Sequence, residues 1–395
     1  MKLLKITFLF VVFTACNLEK IEEGAPSESC PSTKFTVSIG GNKTEYPTDV
    51  LATDDCGYVV CGITQSFSTD YQVYLAKVDD KGIQQWERSY GSPAYDQAEA
   101  VAATTDGGYV ICGNTKGFDQ DNYQDVYVIK TAANGIESWS RTFELPGNSS
   151  SAAGIVQLAS GSYRVAYNKQ DTLSGINQIG LLELDANGIK VSDKLIPGSS
   201  SHYASSMKAA ADGSFIIAGS AFGTNGTDSY IVKLDAAGNR VWDKTFAPAV
   251  NNFTPAYDVV ALKNNTYATA GSDLGPNDHD FNILLYDAAG NLKWDKSFGG
   301  TSADEALDIV ESTDGNIVVA GYTGSFSVNS EVYLLKLSIT DGATLWEKHF
   351  GDRQGSDVCL ANAKDGGYII AATGEKTNGN TDIFLYKTDK DGNFQ

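Results

Sequence analysis

The octet DGGYVICG at 106–113 returns in altered form six more times. It reads DCGYVVCG from 55, SGSYRVAY from 160, DGSFIIAG from 212, NNTYATAG from 264, DGNIVVAG from 314 and DGGYIIAA from 365, at steps of 51, 54, 52, 52, 50 and 51 residues. A spacing this regular confines the chain to an architecture built from one supersecondary unit used repeatedly. The unit at 98–143 divides into AEAVAATT, GYVICGNT, DVYVIKTA and IESWSRTF. Each piece alternates in the manner of a strand and is rich in Val, Ile, Tyr or Trp. Asp106-Gly107 and the AANG at 132–135 separate the pieces with residues that accept tight hairpin geometry. Helical periodicity and helix caps are absent. Four antiparallel strands per repeat describe a propeller blade, so the expected fold class is all-β.

A second period gives the number of blades. Gly-x-x-x-Trp recurs as Gly82–Trp86, Gly135–Trp139, Gly238–Trp242, Gly290–Trp294 and Gly342–Trp346, and repeat three has Gly188 with Ser192. All five tryptophans therefore hold one repeat position, and a ring required once per blade is read as a wedge between blades. The last repeat stops after its third strand. The missing fourth strand lies at the other end of the chain, where FTVSIGGNKTEYPTDV (35–50) aligns with WDKSFGGTSADEALDI (294–309) and Phe35 falls in the Trp position. A seven-bladed propeller follows, closed by the N-terminal strand, which removes its open edges. The folded domain spans 34–395.

The pattern DGGY-(I/V)-(I/V)-(A/C)-G, then D-x-Y-(L/V)-(I/L)-K, then G-N-x-x-W-x-K-(S/T)-F-G-G, resembles the SBBP-type β-propeller repeat of secreted and lipid-anchored bacterial proteins. The resemblance covers about 34–395 and implies the fold; it implies little about activity, because propellers host many functions. Gly-x-x-x-Trp also resembles the tryptophan-docking motif of quinoprotein propellers. Those have eight blades and an adjacent cysteine pair that has no counterpart here, so no quinone is expected.

The first residues stand apart. MKLLKITFLFVVFTAC carries Lys2 and Lys5, an apolar run and small residues before Cys16, the form of a secretory signal over 1–15. Its FTAC ending resembles the bacterial lipobox, with Phe13 where that family favours Leu, Val or Ile. This resemblance implies lipidation of Cys16. Glu19, Glu22 and Glu23 then resemble the surface-export signal of Bacteroidota lipoproteins, which implies an outer-membrane anchor facing the cell exterior. Residues 16–33 are charged and contain Pro and Ser, and read as a flexible tether. Loss of Lys2 and Lys5 would take the net charge from −20 to −22. Such a surface disfavours nucleic acid and anionic membranes, leaving the lipid as the membrane contact.

In a propeller the link between the second and third strands shares one face with the link between blades. Residues that recur in most blades serve the fold, among them Phe67, Phe118, Phe222 and Phe326, and Lys77, Lys130, Lys233, Lys336 and Lys387. Blade-specific link residues are the candidates for ligand binding. Asp119, Asp121 and Asp125 in DQDNYQD, with Tyr123, resemble a calcium loop, because hard cations take several carboxylate oxygens. The loop lacks the central glycine and distal glutamate of an EF-hand, and a solvated polar loop is the plainer reading. Asp278, His279 and Asp280 in blade five, with His202 at the start of blade four, are candidates for a metal or for acid–base work. His349 is read as structural. No nucleophile elbow, phosphate loop, HExxH or CxxC occurs, and no cofactor is expected beyond the calcium alternative.

Without Cys16 five cysteines remain, so at least one is unpaired within the chain. Cys61 and Cys112 occupy a position that is Ala in the other blades and read as small buried hydrophobes. Cys30 precedes the closing strand and Cys56 lies in a hairpin turn on the same face, which makes the two a candidate bridge. The expected function is a monomeric, non-enzymatic surface lipoprotein that binds a protein partner through its link face. The alternative is a glycan-binding protein or weak glycosidase using that face, the latter requiring a suitably spaced carboxylate pair.

Overall fold

A computed structural model describes residues 30–118, 123–145, 149–171, 175–198, 201–223, 226–247, 253–274, 278–327, 329–351, 354–376 and 379–394. The expected signal over 1–15, Cys16 and most of the expected tether over 16–33 lie outside the described residues. Among those described there are no helices, and twenty-eight strands, β1 to β28 in chain order, form seven four-stranded antiparallel sheets. Blade one is typical: β2 (Glu45–Ala52), β3 (Tyr58–Thr64), β4 (Gln72–Val78) and β5 (Gln84–Tyr90) pair in sequence order. Blade seven takes β26 (Gln354–Asn362), β27 (Tyr368–Glu375) and β28 (Thr381–Thr388) from the C-terminus and β1 (Phe35–Ile39) from the N-terminus. In this closure Phe35 lies opposite Lys387 and Ile39 opposite Ile383.

The second and third strands of each blade are buried through their central stretch, and β3 and β4 along their whole length. Sheets packed on both faces have no solvent side, which is why YVVCGIT reads as a continuous apolar run. The fourth strand is the outer one and is more exposed, as in β5. Every blade junction but the one after blade three is filled by the wedge anticipated from Gly-x-x-x-Trp. Trp86 lies against Gly135 and Tyr109 of blade two, Trp139 against Gly188 and Tyr163, Trp242 against Gly290 and Tyr267, and Trp346 against Gly392. Phe35 lies on Gly82 and Tyr58 in the same manner, taking the place of the seventh wedge. Gly135 serves two ends here. Its φ of 75° favours glycine, and any Cβ would collide with the Trp86 ring. Where blade three has Ser192, Gly238 instead meets Leu181 and Lys194.

The recurring lysines close a lock within five of the seven blades. Lys77, Lys130, Lys233, Lys336 and Lys387 pair with Asp55, Asp106, Asp212, Asp314 and Asp365 of the first hairpin turn at 2.7–3.0 Å. The octet's first residue therefore works on the third strand as well as in its own turn. Cys30 and Cys56 form a disulfide with a Cα separation of 5.5 Å, and Cys61, Cys112 and Cys359 are buried free thiols. Thr33 also donates to the carbonyl of Asp80 in the second hairpin turn of blade one. Residues 30–34 are thus fixed to the face that carries the hairpin turns.

Candidate functional site

The opposite face carries the links, and two repeated polar positions organise its junctions. One lies on the innermost strand: Glu45, Asp96, Ser150, His202, Thr254 and Asp304 are equivalent by register. The other begins the third strand: Gln72, Asp125, Gln178, Asp228, Asp280, Glu331 and Asp382. The two positions meet across blade junctions. Gln72 reaches Asp96 at 3.4 Å. Asp280 and Asp304 both flank Gly299, where a side chain would collide with the two carboxylates, and Asp382 and Glu45 flank Gly40 likewise. The innermost carboxylates also hold the incoming link: Glu45 accepts from the Gly41 amide at 3.0 Å and the Thr64 hydroxyl at 2.7 Å, and Asp304 from the Gly300 amide at 2.8 Å and the Ser325 hydroxyl at 2.7 Å. Burial raises Asp280, and the neighbouring Asp273, Asp304 and Asp278 add to the rise.

This pattern accounts for His202. It occupies a position that holds a carboxylate in blades one, two and six, is buried, and lies 4.0 Å from the Tyr230 ring. It lines the narrow cleft between blades three and four with Gln178, Ile179, Ile196 and Gly198. His279 opens the third strand of blade five and lies edge-on to Phe253 at 5.1 Å, and Asp278 accepts the His279 backbone amide at 2.9 Å. The structure therefore keeps His202 and His279 in separate junctions, and among the described residues no three His, Cys, Asp or Glu side chains form a metal-ready group. Asp119 and Asp121 lie outside the described residues. Tyr123 is 42% exposed on the link face. The repeated Phe67, Phe118 and Phe326 are half exposed and cover the third-strand tyrosines Tyr74, Tyr127 and Tyr333. They belong as much to the surface of this face as to its packing. His349 bridges to Glu331 at 2.9 Å and stacks on Phe326.

Around the axis the structure reveals a polar cluster that the sequence reading passed over. Asp49, Asp258 and Asp308 are equivalent residues just after a bulge in the innermost strand. Each accepts a backbone amide from the next blade: Asp49 from Val101 at 2.9 Å, Asp258 from Ile309 at 3.2 Å and Asp308 from Leu360 at 2.7 Å. They clamp neighbouring inner strands to one another. Lys208 lies 3.4 Å from Asp258. Attraction to Asp258, and to Asp308 and Asp49 beyond it, raises the Lys208 pKa against the effect of its burial. The available signal was a carboxylate interrupting an apolar run, as in TDVLA, YDVVA and ALDIV.

Glu99 lies nearby, accepting from Asn114 at 2.7 Å and Gln97 at 2.9 Å. Burial pushes its pKa up to about 7 from 4.5, with the Asn114 amide opposing the rise. Between those values the folded chain keeps a proton that the unfolded chain releases, so Glu99 makes folding more favourable as pH falls from 7 toward 4.5. The turn carboxylates act oppositely. Asp106, although its burial pulls upward, is lowered to about 2 by Thr104 and Lys130, and Asp212 to about 2 by Ser214 and Lys233. Their stabilisation is lost only as pH falls below the ordinary Asp value of 3.8. Thermal stability is expected to peak near pH 5 and to fall by roughly 2–5 °C between pH 5.5 and 8. A Glu99→Gln variant should lose most of that slope, and a melting series in matched buffers reads it. An unchanged slope would show that Glu99 is not its source.

No protein-family model matches the chain, and no curated protein matches it. Solved structures do. The WD40 domain of Pan2 from Neurospora crassa aligns at 12% identity with a TM-score of 0.56, covering 92% of this chain and 98% of that one. A protein of unknown function from Dyadobacter fermentans aligns at 10% identity and a TM-score of 0.52, covering 91% and 99%. A PL25 ulvan lyase, a polysaccharide lyase solved with a bound saccharide, aligns at 10% identity and 0.55, covering 90% and 97%. At these identities the likeness shows the fold, a seven-bladed β-propeller, and stops there.

Proposed function

We propose that this chain is a lipid-anchored cell-surface binding module whose link face engages a protein partner, without catalytic chemistry of its own. The observation that supports this reading is the fixing of residues 30–34 to the hairpin face by the Cys30–Cys56 disulfide and the Thr33 bond. A tether beginning at a lipidated Cys16 would reach the propeller from that side. Its fourteen residues would span roughly 20 Å as a flexible coil. The hairpin face would then look toward the membrane and the link face away from it. Residues shared by the blades make the hairpin locks and wedges, whereas the links differ from blade to blade in length and chemistry. A platform of that kind suits recognition. The resemblance of the repeat to SBBP-type propellers, with the lipobox-like FTAC, fits the same reading.

The test is cross-linked capture of partners by the full lipidated chain on its native membrane. A link-face variant, Tyr123→Ala with Asp278→Lys, should reduce recovery of a discrete partner at least tenfold. A hairpin-face variant, Lys81→Glu, should leave recovery unchanged. Equal recovery by all three chains, or loss only with Lys81→Glu, would reject the link face as the binding surface.

A further inference from the structure

The link face is acidic at most of its junctions, but one cavity interrupts the pattern. It lies where blades two, three and four meet, with a volume of about 210 Å³. Its lining comprises Gln124, Ser149, Ser151, Gln170 and Asn177, with Asn168 and Tyr203 completing it, and contains no Asp, Glu, Lys, Arg or His. The register explains the grouping. Ser149 pairs with Gln170, and Gln170 with Asn177, so three adjacent strands of blade three place amide and hydroxyl side chains in one row. Ser151 pairs with Asn168 in the same sheet. Blade three is also where both junction positions lose their charge: Ser150 stands at the position of Asp96, and Gln178 at a position acidic in five of the seven blades.

The cavity has a rigid base. Asn168 donates to the Ala204 carbonyl at 2.9 Å and accepts the Ala204 amide at 2.7 Å, tying blade three to blade four. The Asn177 backbone amide donates to the Ser201 hydroxyl at 2.9 Å and fixes a second wall. Tyr203, the residue before the tied Ala204, is 39% exposed at the blade-four side. Carboxamides and hydroxyls both donate and accept hydrogen bonds, whereas a bound cation calls for carboxylates and a bound anion for Lys or Arg. An exposed tyrosine ring adds an apolar face with a polar tip. These are the complements of a small neutral polyol with one apolar face, that is, one sugar ring. The volume lies below the roughly 300 Å³ at which drug-sized sites begin, which limits the ligand to a monosaccharide or the end of a glycan chain.

We infer that the cavity between blades two, three and four is a binding site for a neutral sugar residue. The inference is independent of the protein-partner reading, because its lining shares no residue with the Tyr123 and Asp278 positions tested there. The experiment is saturation-transfer NMR on the mature chain with glucose, galactose, mannose and N-acetylglucosamine as probes and glucuronate as the charged control. At least one neutral sugar should give a signal, glucuronate should give none, and Tyr203→Ala should weaken binding at least tenfold. Gln170→Ala, a change at an exposed residue, should weaken the same sugar severalfold and decides the matter if Tyr203→Ala does not fold. Silence across the neutral probes, an equal signal from glucuronate, or binding untouched by Gln170→Ala would overturn the site. Partner recovery unchanged by Tyr123→Ala with Asp278→Lys, with sugar binding intact, would instead reject the protein-partner reading alone.

Discussion

A chain lacking residues 34–40 will not yield a stable monomer. Its loss would strip β28 of its outer partner along the whole register from Phe35–Lys387 to Ile39–Ile383 and leave an unpaired edge. It would also remove the Phe35 wedge from Tyr58 and Gly82 and the buried Ile39 from the core shared by blades one and seven. Size-exclusion chromatography should show aggregate in place of monomer, and calorimetry should lose the cooperative transition. The milder Ile39→Ala keeps the strand and should cost about 2–5 kcal/mol, read as a lower denaturation midpoint. A peptide spanning 34–40, added during refolding, should recover part of the monomer. If the shortened chain melts like the parent, the ring does not depend on this strand.

The five lysine locks predict a graded result. Lys387 and Asp365 are sealed, with side-chain exposures of 0% and 3%, whereas Lys233 and Asp212 retain 13% and 46%. Lys387→Met fills the space of the stem but leaves the Asp365 carboxylate buried without its cation, so the expected loss is about 3–5 kcal/mol. Lys233→Met leaves an aspartate that water reaches, and the loss should stay below about 1 kcal/mol. Adding Asp365→Asn to Lys387→Met should restore much of the deficit, because the remaining group is neutral and buried. Urea unfolding of the three variants and the parent measures all of this. Equal losses at Lys387 and Lys233 would refute burial as the determinant.

How much of this was legible in the residues depended on whether a residue repeats. The octet, the Trp interval and the alignment of 35–50 with 294–309 gave the blade, its wedge and its closure, because each is a demand made once per blade. The lysine partner was legible in principle, since each octet aspartate precedes its lysine by 21 to 24 residues. The axial carboxylates were harder. A bulge precedes Asp49, Asp258 and Asp308 and resets which way the following side chains project, and strict alternation cannot anticipate that shift. The equivalence of His202 with Glu45, Asp96 and Asp304 becomes visible only with the strand register, because the residue type differs between blades. The neutral cavity was illegible for a related reason. Gln124, Ser149, Gln170 and Tyr203 come from three blades, and single-blade comparison cannot bring them together.

The disulfide also determines where a mechanical load enters the molecule. Force drawn along residues upstream of 30 would, without the bond, arrive at Phe35 and peel β1 from β28 one pair at a time, opening the ring where its two chain ends meet. With Cys30 joined to Cys56, the same force passes into the turn between β2 and β3, two inner strands of a complete blade. The closing strand then hangs slack behind the crosslink. Reduction of this one bond would redirect tension onto the seam, so the ring's resistance to drag would depend on the redox state of its surroundings.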